Sequence, residues 1–248
     1  MLKPIVAGNW KMNKTPQEGK SFIDDVANRL PLINNVNIIF CPPFTGLNNI
    51  DISTPYYLGA QNCFYKDKGA YTGEISIEML LDCNVEYVII GHSERRHIFH
   101  ENNELIDKKM SRVNNVGMKP ILCIGETLDE MNNGKTYFII EEQIIKGLTN
   151  VKSIDNIIIA YEPVWAIGTG LTATAEKIDE MHSFIRKMLS SLYTNNNSEE
   201  IPILYGGSVN SDNANELISI DGVNGFLIGG ASLDVIKFTD VVKIVNEQ

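Results

Sequence analysis

Eight short strand-like runs recur along this chain, at 5–8, 37–40, 57–60, 87–90, 121–124, 157–161, 203–205 and 225–228. Over 248 residues that is about 31 residues per unit, the size of a strand plus a crossover helix and its connections. Consecutive apolar positions, as in Ile157-Ile158-Ile159, suit a parallel strand covered on both faces. Helical segments lie between the runs. Thr15-Pro16-Gln17-Glu18 places a cap, a proline at the first helical position and a glutamate three residues past the cap, and Phe22, Ile23, Val26, Ala27 and Leu30 then recur at helical spacing. After Thr174, a second N-cap, the residues Ile178, Met181, Phe184, Ile185, Met188, Leu189 and Leu192 form one stripe. Weaker helices fit 44–49, 77–83, 104–115, 137–148, 212–218 and 234–246. No linker or composition break interrupts the alternation. It therefore predicts one α/β domain over 1–248, a closed (β/α)8 barrel. The alternative is an open doubly wound sheet, against which no strand-linked G-x-G-x-x-G stands where such a fold would place it.

One connection departs from the pattern. Residues 62–74, NCFYKDKGAYTGE, are long, polar and without helical periodicity. Such a loop in a compact domain is either an interaction element or a surface excursion, and Tyr65 and Tyr71 favour contact with another subunit.

Composition narrows the function classes. No apolar run approaches the roughly 20 residues of a membrane span, and the first residues lack the apolar stretch of a signal peptide. Cys41, Cys63, Cys83 and Cys123 are widely spaced with no C-x-x-C pair, which fits reduced, buried thiols in a cytoplasmic protein. The net charge of −10 argues against nucleic acid and anionic membranes as partners. It also means that an anionic ligand needs a locally positive site.

Chemistry in such a barrel sits at the carboxyl ends of the strands. There the sequence puts Asn9-Trp10-Lys11, then Gly91-His92-Ser93-Glu94-Arg95-Arg96, then Glu162, then Gly206-Gly207-Ser208 and Gly229-Gly230-Ala231-Ser232. Glu162 is followed by Pro163 and a Gly-hinged apolar loop, the layout of a base under a lid; a salt-bridged glutamate under an ordinary loop fits the same stretch. The glycine turns after strands seven and eight let backbone amides approach an anion; the other reading is that they are tight turns only. Amides and Lys11 would then hold a phosphate on an acidic protein.

The motifs GNWKMN at 8–13, KGAYTGE at 68–74, GHSERR at 91–96, AYEPVWAIGTG at 160–170, YGGSV at 205–209 and GGASL at 229–233 together resemble the triosephosphate isomerase family over the whole length. The resemblance implies a TIM barrel and the interconversion of dihydroxyacetone phosphate and D-glyceraldehyde 3-phosphate, a step of glycolysis and gluconeogenesis. By the same resemblance Glu162 is the base and His92 a neutral imidazole that polarises the carbonyl; this family is itself the standard case of that pairing. Lys11 and Asn9 bind the substrate oxygens, and Glu94 supports Lys11 or forms a purely structural ion pair. Gly168, Ser208, Gly229 and Gly230 supply phosphate-binding amides, and Cys123 packs near Glu162. The lid spans 163–173, with Pro163, Val164, Trp165, Ala166, Ile167, Gly168, Thr169 and Gly170 as its body. Leu171 stands where the family commonly has lysine, which bears on lid kinetics. No metal or organic cofactor is implied. The third loop, through Tyr71, Thr72 and Gly73, would enter a second subunit of a homodimer, with Thr72 near its 9–11 turn. Two other readings are a barrel aldolase forming a Schiff base through Lys11 and a non-catalytic sugar-phosphate binding protein.

Overall fold

The computed structural model describes residues 2–31, 33–48, 50, 52, 55–167, 172–193 and 198–248. Its strands are β1 (Ile5–Asn9), β2 (Asn37–Cys41), β3 (Tyr56–Ala60), β4 (Val85–Ile90), β5 (Lys119–Ile124), β6 (Ile158–Tyr161), β7 (Ile203–Tyr205) and β8 (Gly225–Ile228). They pair in chain order, every pair parallel, and β8 returns to β1 with Ile5 opposite Gly225 and Gly8 opposite Ile228. The expected (β/α)8 barrel is therefore the observed fold.

Alternation along each strand divides the core in two. Ile5, Ala7, Ile39, Tyr87, Ile89, Ile121, Cys123, Ile158, Ala160, Leu204 and Leu227 fill the barrel interior. Their neighbours Val6, Ile38, Phe40, Val88, Ile90, Leu122, Ile159, Ile203, Phe226 and Ile228 face outward and pack under the helices. This is why the strands read as unbroken apolar runs: both faces are covered.

The helices are α1 (Pro16–Arg29), α2 (Ile77–Asp82), α3 (Ser93–His97), α4 (Asn103–Asn115), α5 (Leu128–Asn132), α6 (Thr136–Gly147), α7 (Ala175–Leu192), α8 (Ala214–Ile218) and α9 (Val235–Asn246). Thr15 caps α1 in a full capping box with Glu18, and Thr174 caps α7 by accepting from the Lys177 amide. The expected helix at 44–49 is instead a single 3-10 turn, Phe44–Gly46. Pro42 and Pro43 precede it and Gly46 lies inside it, so no helical register propagates. The 62–74 connection is irregular, as expected, with the rings of Phe64 and Tyr65 4.5 Å apart and those of Phe64 and Tyr71 4.7 Å apart. Among the described residues no helix is long and apolar enough to cross a membrane.

The buried face of α7 carries one group that the apolar stripe does not explain. His182 lies between Met181 and Ile185, with Nδ1 3.1 Å from the Gly222 carbonyl oxygen and Nε2 buried without a hydrogen-bond partner among the described residues. Burial pushes its pKa down to about 4, against the smaller upward pull of the Gly222 bond. Between that value and the unfolded value of about 6.5 the unfolded chain binds more protons. The stability from a neutral His182 is thus fully present above the unfolded pKa and falls by roughly 3 kcal/mol as the pH drops toward 4. His182→Gln, which can still donate to Gly222, is expected to flatten this part of the pH–stability curve. Denaturant unfolding of both proteins at neutral and acid pH checks it; parallel losses would show that His182 is not the group responsible.

Candidate active site

The inward alternation of the barrel continues one step past its apolar layer. On β1 the series Ile5, Ala7 is followed by Asn9, and on β6 Ile158, Ala160 is followed by Glu162. Both polar side chains are therefore delivered to the carboxyl end of the barrel by strand geometry alone. They line a cleft of about 470 Å³ together with Lys11, His92, Ile167, Gly206, Gly207, Ser208, Gly229 and Gly230.

Glu162 is 2% exposed. Its backbone amide continues the β5–β6 ladder onto the Ile124 carbonyl at 2.7 Å. Two neighbouring glycines make room for it. A β-carbon at Gly125 would lie 1.8 Å from the Glu162 carbonyl oxygen, and one at Gly206 would lie 2.7 Å from Glu162 Cγ. The carboxylate receives a long hydrogen bond from the Ser93 amide at 3.4 Å, and its Oε1 stands 3.3 Å from His92 Nε2.

His92 is the N-cap of α3, and its Nδ1 accepts a hydrogen bond from the Glu94 amide at 3.2 Å. A backbone N–H can only donate, so Nδ1 carries the lone pair and Nε2 the proton. The imidazole thus presents an Nε2–H donor to the cleft.

Lys11 has a left-handed backbone, φ 52°, and its ammonium lies 2.7 Å from Glu94 Oε1. Asn9 Oδ1 accepts from the Lys11 amide at 3.1 Å, leaving the Asn9 Nδ2 group to donate. Gln61 Nε2 donates to the carbonyls of both Lys11 (2.8 Å) and Cys41 (2.9 Å), bracing the turn. Opposite Lys11, the backbone amides of Gly207, Ser208, Gly229 and Gly230 line the same cleft and donate to no carbonyl or side chain among the described residues. The 3-10 turn Gly230–Leu233 begins there. Unpaired amides beside an ammonium form an anion site.

The chain around Pro163–Ile167 is held from both neighbours. Buried Glu126 accepts from Trp165 Nε1 at 3.0 Å and from the Tyr161 hydroxyl at 3.2 Å, and its own carbonyl accepts from the Val164 amide at 3.0 Å. Burial raises the Glu126 pKa, against the downward pull of those bonds. Ser208 Oγ donates to the Ala166 carbonyl at 2.8 Å, and the Ala173 amide donates to the Tyr205 hydroxyl at 3.3 Å. Gly168, Thr169, Gly170 and Leu171 lie outside the described residues.

Of the residues singled out from the sequence, Asn9, Lys11, His92, Glu162, Ser208, Gly229 and Gly230 converge on the cleft, and Glu94 reaches it through Lys11. Cys123 lies in the interior directly beneath, its thiol pushed up by burial and then by the Glu162 carboxylate. Tyr71, Thr72 and Gly73 are exposed on the third loop, away from the cleft.

The model of the family described as triosephosphate isomerase matches residues 4–245. The chain belongs to the triosephosphate isomerase family. Two relatives bearing that name agree with it over nearly the full length of both chains. The Thermodesulfovibrio yellowstonii protein is 47% identical over 246 residues, covering 98% of this chain and 100% of its own. The Aquifex aeolicus protein is 47% identical over 245 residues, covering 97% and 99%. The crystal structure of triosephosphate isomerase from Bartonella henselae superposes with a TM-score of 0.89 at 37% identity, covering 98% of this chain and 99% of that one.

For a triosephosphate isomerase family member, four contributors to this site escape a motif-based reading. Glu126 holds the chain at Tyr161, Val164 and Trp165, Tyr205 holds it at Ala173, Gln61 braces the Lys11 turn, and Arg96 braces the frame of the site. Arg96 donates to the carbonyls of Gly91 (2.7 Å) and Cys123 (3.0 Å), tying the end of β4 to β5, and burial brings its pKa down to about 10. Arg96 closes GHSERR and Tyr205 opens YGGSV, motifs that mark their positions but not their roles. Gln61 directly follows β3 and Glu126 follows β5 after one intervening residue, and that placement is the only local signal they give.

Proposed function

We propose that this chain interconverts D-glyceraldehyde 3-phosphate and dihydroxyacetone phosphate by proton transfer through an enediolate, as a cytoplasmic homodimer serving glycolysis and gluconeogenesis. The observation that carries the reading is a buried carboxylate, Glu162, 3.3 Å from an Nε2–H donor, His92, in the same cleft as a cation and unpaired amides.

The roles follow from what each group can do. Glu162 removes a proton from the carbon beside the carbonyl and returns it to the neighbouring carbon. His92 Nε2–H donates to the oxygen on which charge develops, and Asn9 Nδ2 adds a second donor. Lys11 offers positive charge to the substrate oxygens and phosphate, and Glu94 holds its ammonium in place. The amides around Ser208, Gly229 and Gly230, with Gly168 from the lid, bind the phosphate. Closure of the 163–173 lid, hinged on Glu126 and Tyr205, excludes water and protects the enediolate from losing phosphate. The whole chain, 1–248, acts as one catalytic domain, and the reaction uses no metal or organic cofactor. Engagement of Lys11 by Glu94 and the presence of a separate base favour this reading over Schiff-base chemistry.

The homodimer rests on where apolar surface is exposed. Met12 (95% exposed), Phe44, Tyr71, Met79, Ile98 and Phe99 lie on the segments that follow β1 to β4, one sector of the barrel, while Leu128, Tyr137, Phe138, Ile145, Leu192 and Ile236 are exposed elsewhere. The third loop projects from that sector and is braced by Arg112 with Asp67 at 2.6 Å and by Lys109 with Asn62 at 2.9 Å. Insertion of Tyr71, Thr72 and Gly73 beside a partner's first loop would support Lys11 there.

A coupled assay with D-glyceraldehyde 3-phosphate and EDTA tests the activity: rapid turnover is expected, and none would overturn the reading. Sedimentation with parallel assays down to nanomolar protein tests the assembly. Activity should fall as the dimer dissociates; a fully active monomer contradicts the role given to the loop.

A further inference from the structure

We propose that Lys14 is a positioning residue for phosphate recognition: it ties the Lys11 turn to the Gly229–Gly230 turn and so sets how far the Lys11 ammonium stands from the phosphate-binding amides. The proposal rests on the cleft being the phosphate site described above.

Lys14 shares the left-handed conformation of Lys11, with φ 68° against 52°. Two such lysines within four residues place local strain on this turn, which persists only where surrounding contacts hold it. Asn13 Nδ2 donates to the Trp10 carbonyl at 2.7 Å, and the Asn9 and Gln61 bonds hold Lys11 itself. These bonds stay within the loops after the first three strands. Lys14 reaches the eighth. Its Nζ donates to the Leu233 carbonyl at 3.0 Å, at the end of the 3-10 turn that starts at Gly230. Its ammonium also sits 4.3 Å from the centre of the Phe22 ring and 5.7 Å from that of Trp10. It is therefore held by a carbonyl and an aromatic face together.

The two loops also touch at Lys11. A β-carbon on Gly229 would lie 3.5 Å from Lys11 Cε and 3.9 Å from its Nζ, so the lysine stem lies against that glycine. The ammonium that meets the substrate and the amides that meet its phosphate are thus neighbours on two different loops, and Lys14 joins those loops. Helix formation does not explain its position. Lys14 directly precedes the Thr15 cap of α1, where a cation opposes the helix dipole. Partial burial of the ammonium lowers its pKa, against the smaller upward pulls of Glu18 and Asp234, a net cost that a lysine pointing into water would avoid.

Misplacing a binding group by about an ångström can cost as much as 10²-fold in rate, so loss of this tie is expected to cost about tenfold in kcat/KM, more through KM than kcat. The experiment compares the wild-type protein, Lys14→Met, Lys11→Met and the double variant. It measures affinity for inorganic phosphate by titration and, separately, kcat and KM. Methionine keeps an apolar stem over Phe22 and removes the donor. Lys14→Met should weaken phosphate binding about tenfold in the wild-type background and less than about twofold in the Lys11→Met background, because a residue acting through Lys11 has nothing left to position. Lys14→Arg, which can still donate to Leu233 and stack on Phe22, should restore binding to within about twofold. Unchanged phosphate affinity in Lys14→Met, or equal losses in both backgrounds, would overturn the proposal. If Lys14→Met does not fold, Lys14→Gln is read against the same two outcomes. Phosphate titration does not depend on turnover, so a wild-type protein without isomerase activity would sink the functional reading while the titration still judges Lys14.

Discussion

Glu162→Gln is expected to lower kcat by at least about 10²–10⁴ with little change in KM. Glutamine has nearly the shape of the carboxylate it replaces. It can still accept from the Ser93 amide and fit between Gly125 and Gly206, where the backbone leaves room for this side chain. What it loses is the ability to take up a proton. The loss should therefore fall on the chemical step, and affinity for inorganic phosphate should stay near that of the wild type, because the amides around Ser208, Gly229 and Gly230 are untouched. Steady-state kinetics and a phosphate titration on the same preparation separate the two effects. A variant that turns over as fast as the wild type would mean that another group is the base.

His92→Asn is the second large effect, about 10²–10³ in kcat. Asparagine is a good N-cap and can take over the bond that His92 Nδ1 accepts from the Glu94 amide, so α3 should stay in place. Its side chain is too short to bring a donor where Nε2–H now stands. The loss thus isolates stabilisation of the developing oxyanion from folding of the loop. Circular dichroism and melting unchanged from the wild type, with kcat reduced, is the expected pattern. Wild-type kcat in the variant would remove His92 from the reaction.

Much of this architecture is legible in the sequence, and the reasons are physical. Eight apolar runs with connections long enough for crossover helices leave little besides a closed barrel, because strands covered on both faces need helices outside and a filled interior. Glu162 is legible for the same reason: it follows Ile158 and Ala160 by the period of two that governs the inner layer. The N-caps at Thr15 and Thr174 mark real helix starts because a polar side chain there satisfies amides that nothing else can reach. α3 and α5 are harder to see. Each is only five residues, too short for an apolar period, although Thr127 and Glu130 form a capping box at α5 and His92 itself caps α3. The 44–49 segment shows the opposite error, in which apolar residues suggested a helix that prolines and a glycine prevent. Side-chain ties such as Glu126 to Trp165, Gln61 to Lys11 and Lys14 to Leu233 join residues 39, 50 and 219 positions apart. Such pairs leave no local pattern, and only the folded barrel brings them together.

The most direct test of the central claim is isomerisation of D-glyceraldehyde 3-phosphate in deuterium oxide, followed by NMR, with wild type and Glu162→Gln side by side. Proton transfer by one carboxylate predicts dihydroxyacetone phosphate carrying deuterium at the receiving carbon in those turnovers in which Glu162 exchanges with solvent before returning the proton, and total product formation cut by orders of magnitude in the variant. Product formed equally fast by Glu162→Gln would contradict the assignment of Glu162 as the base.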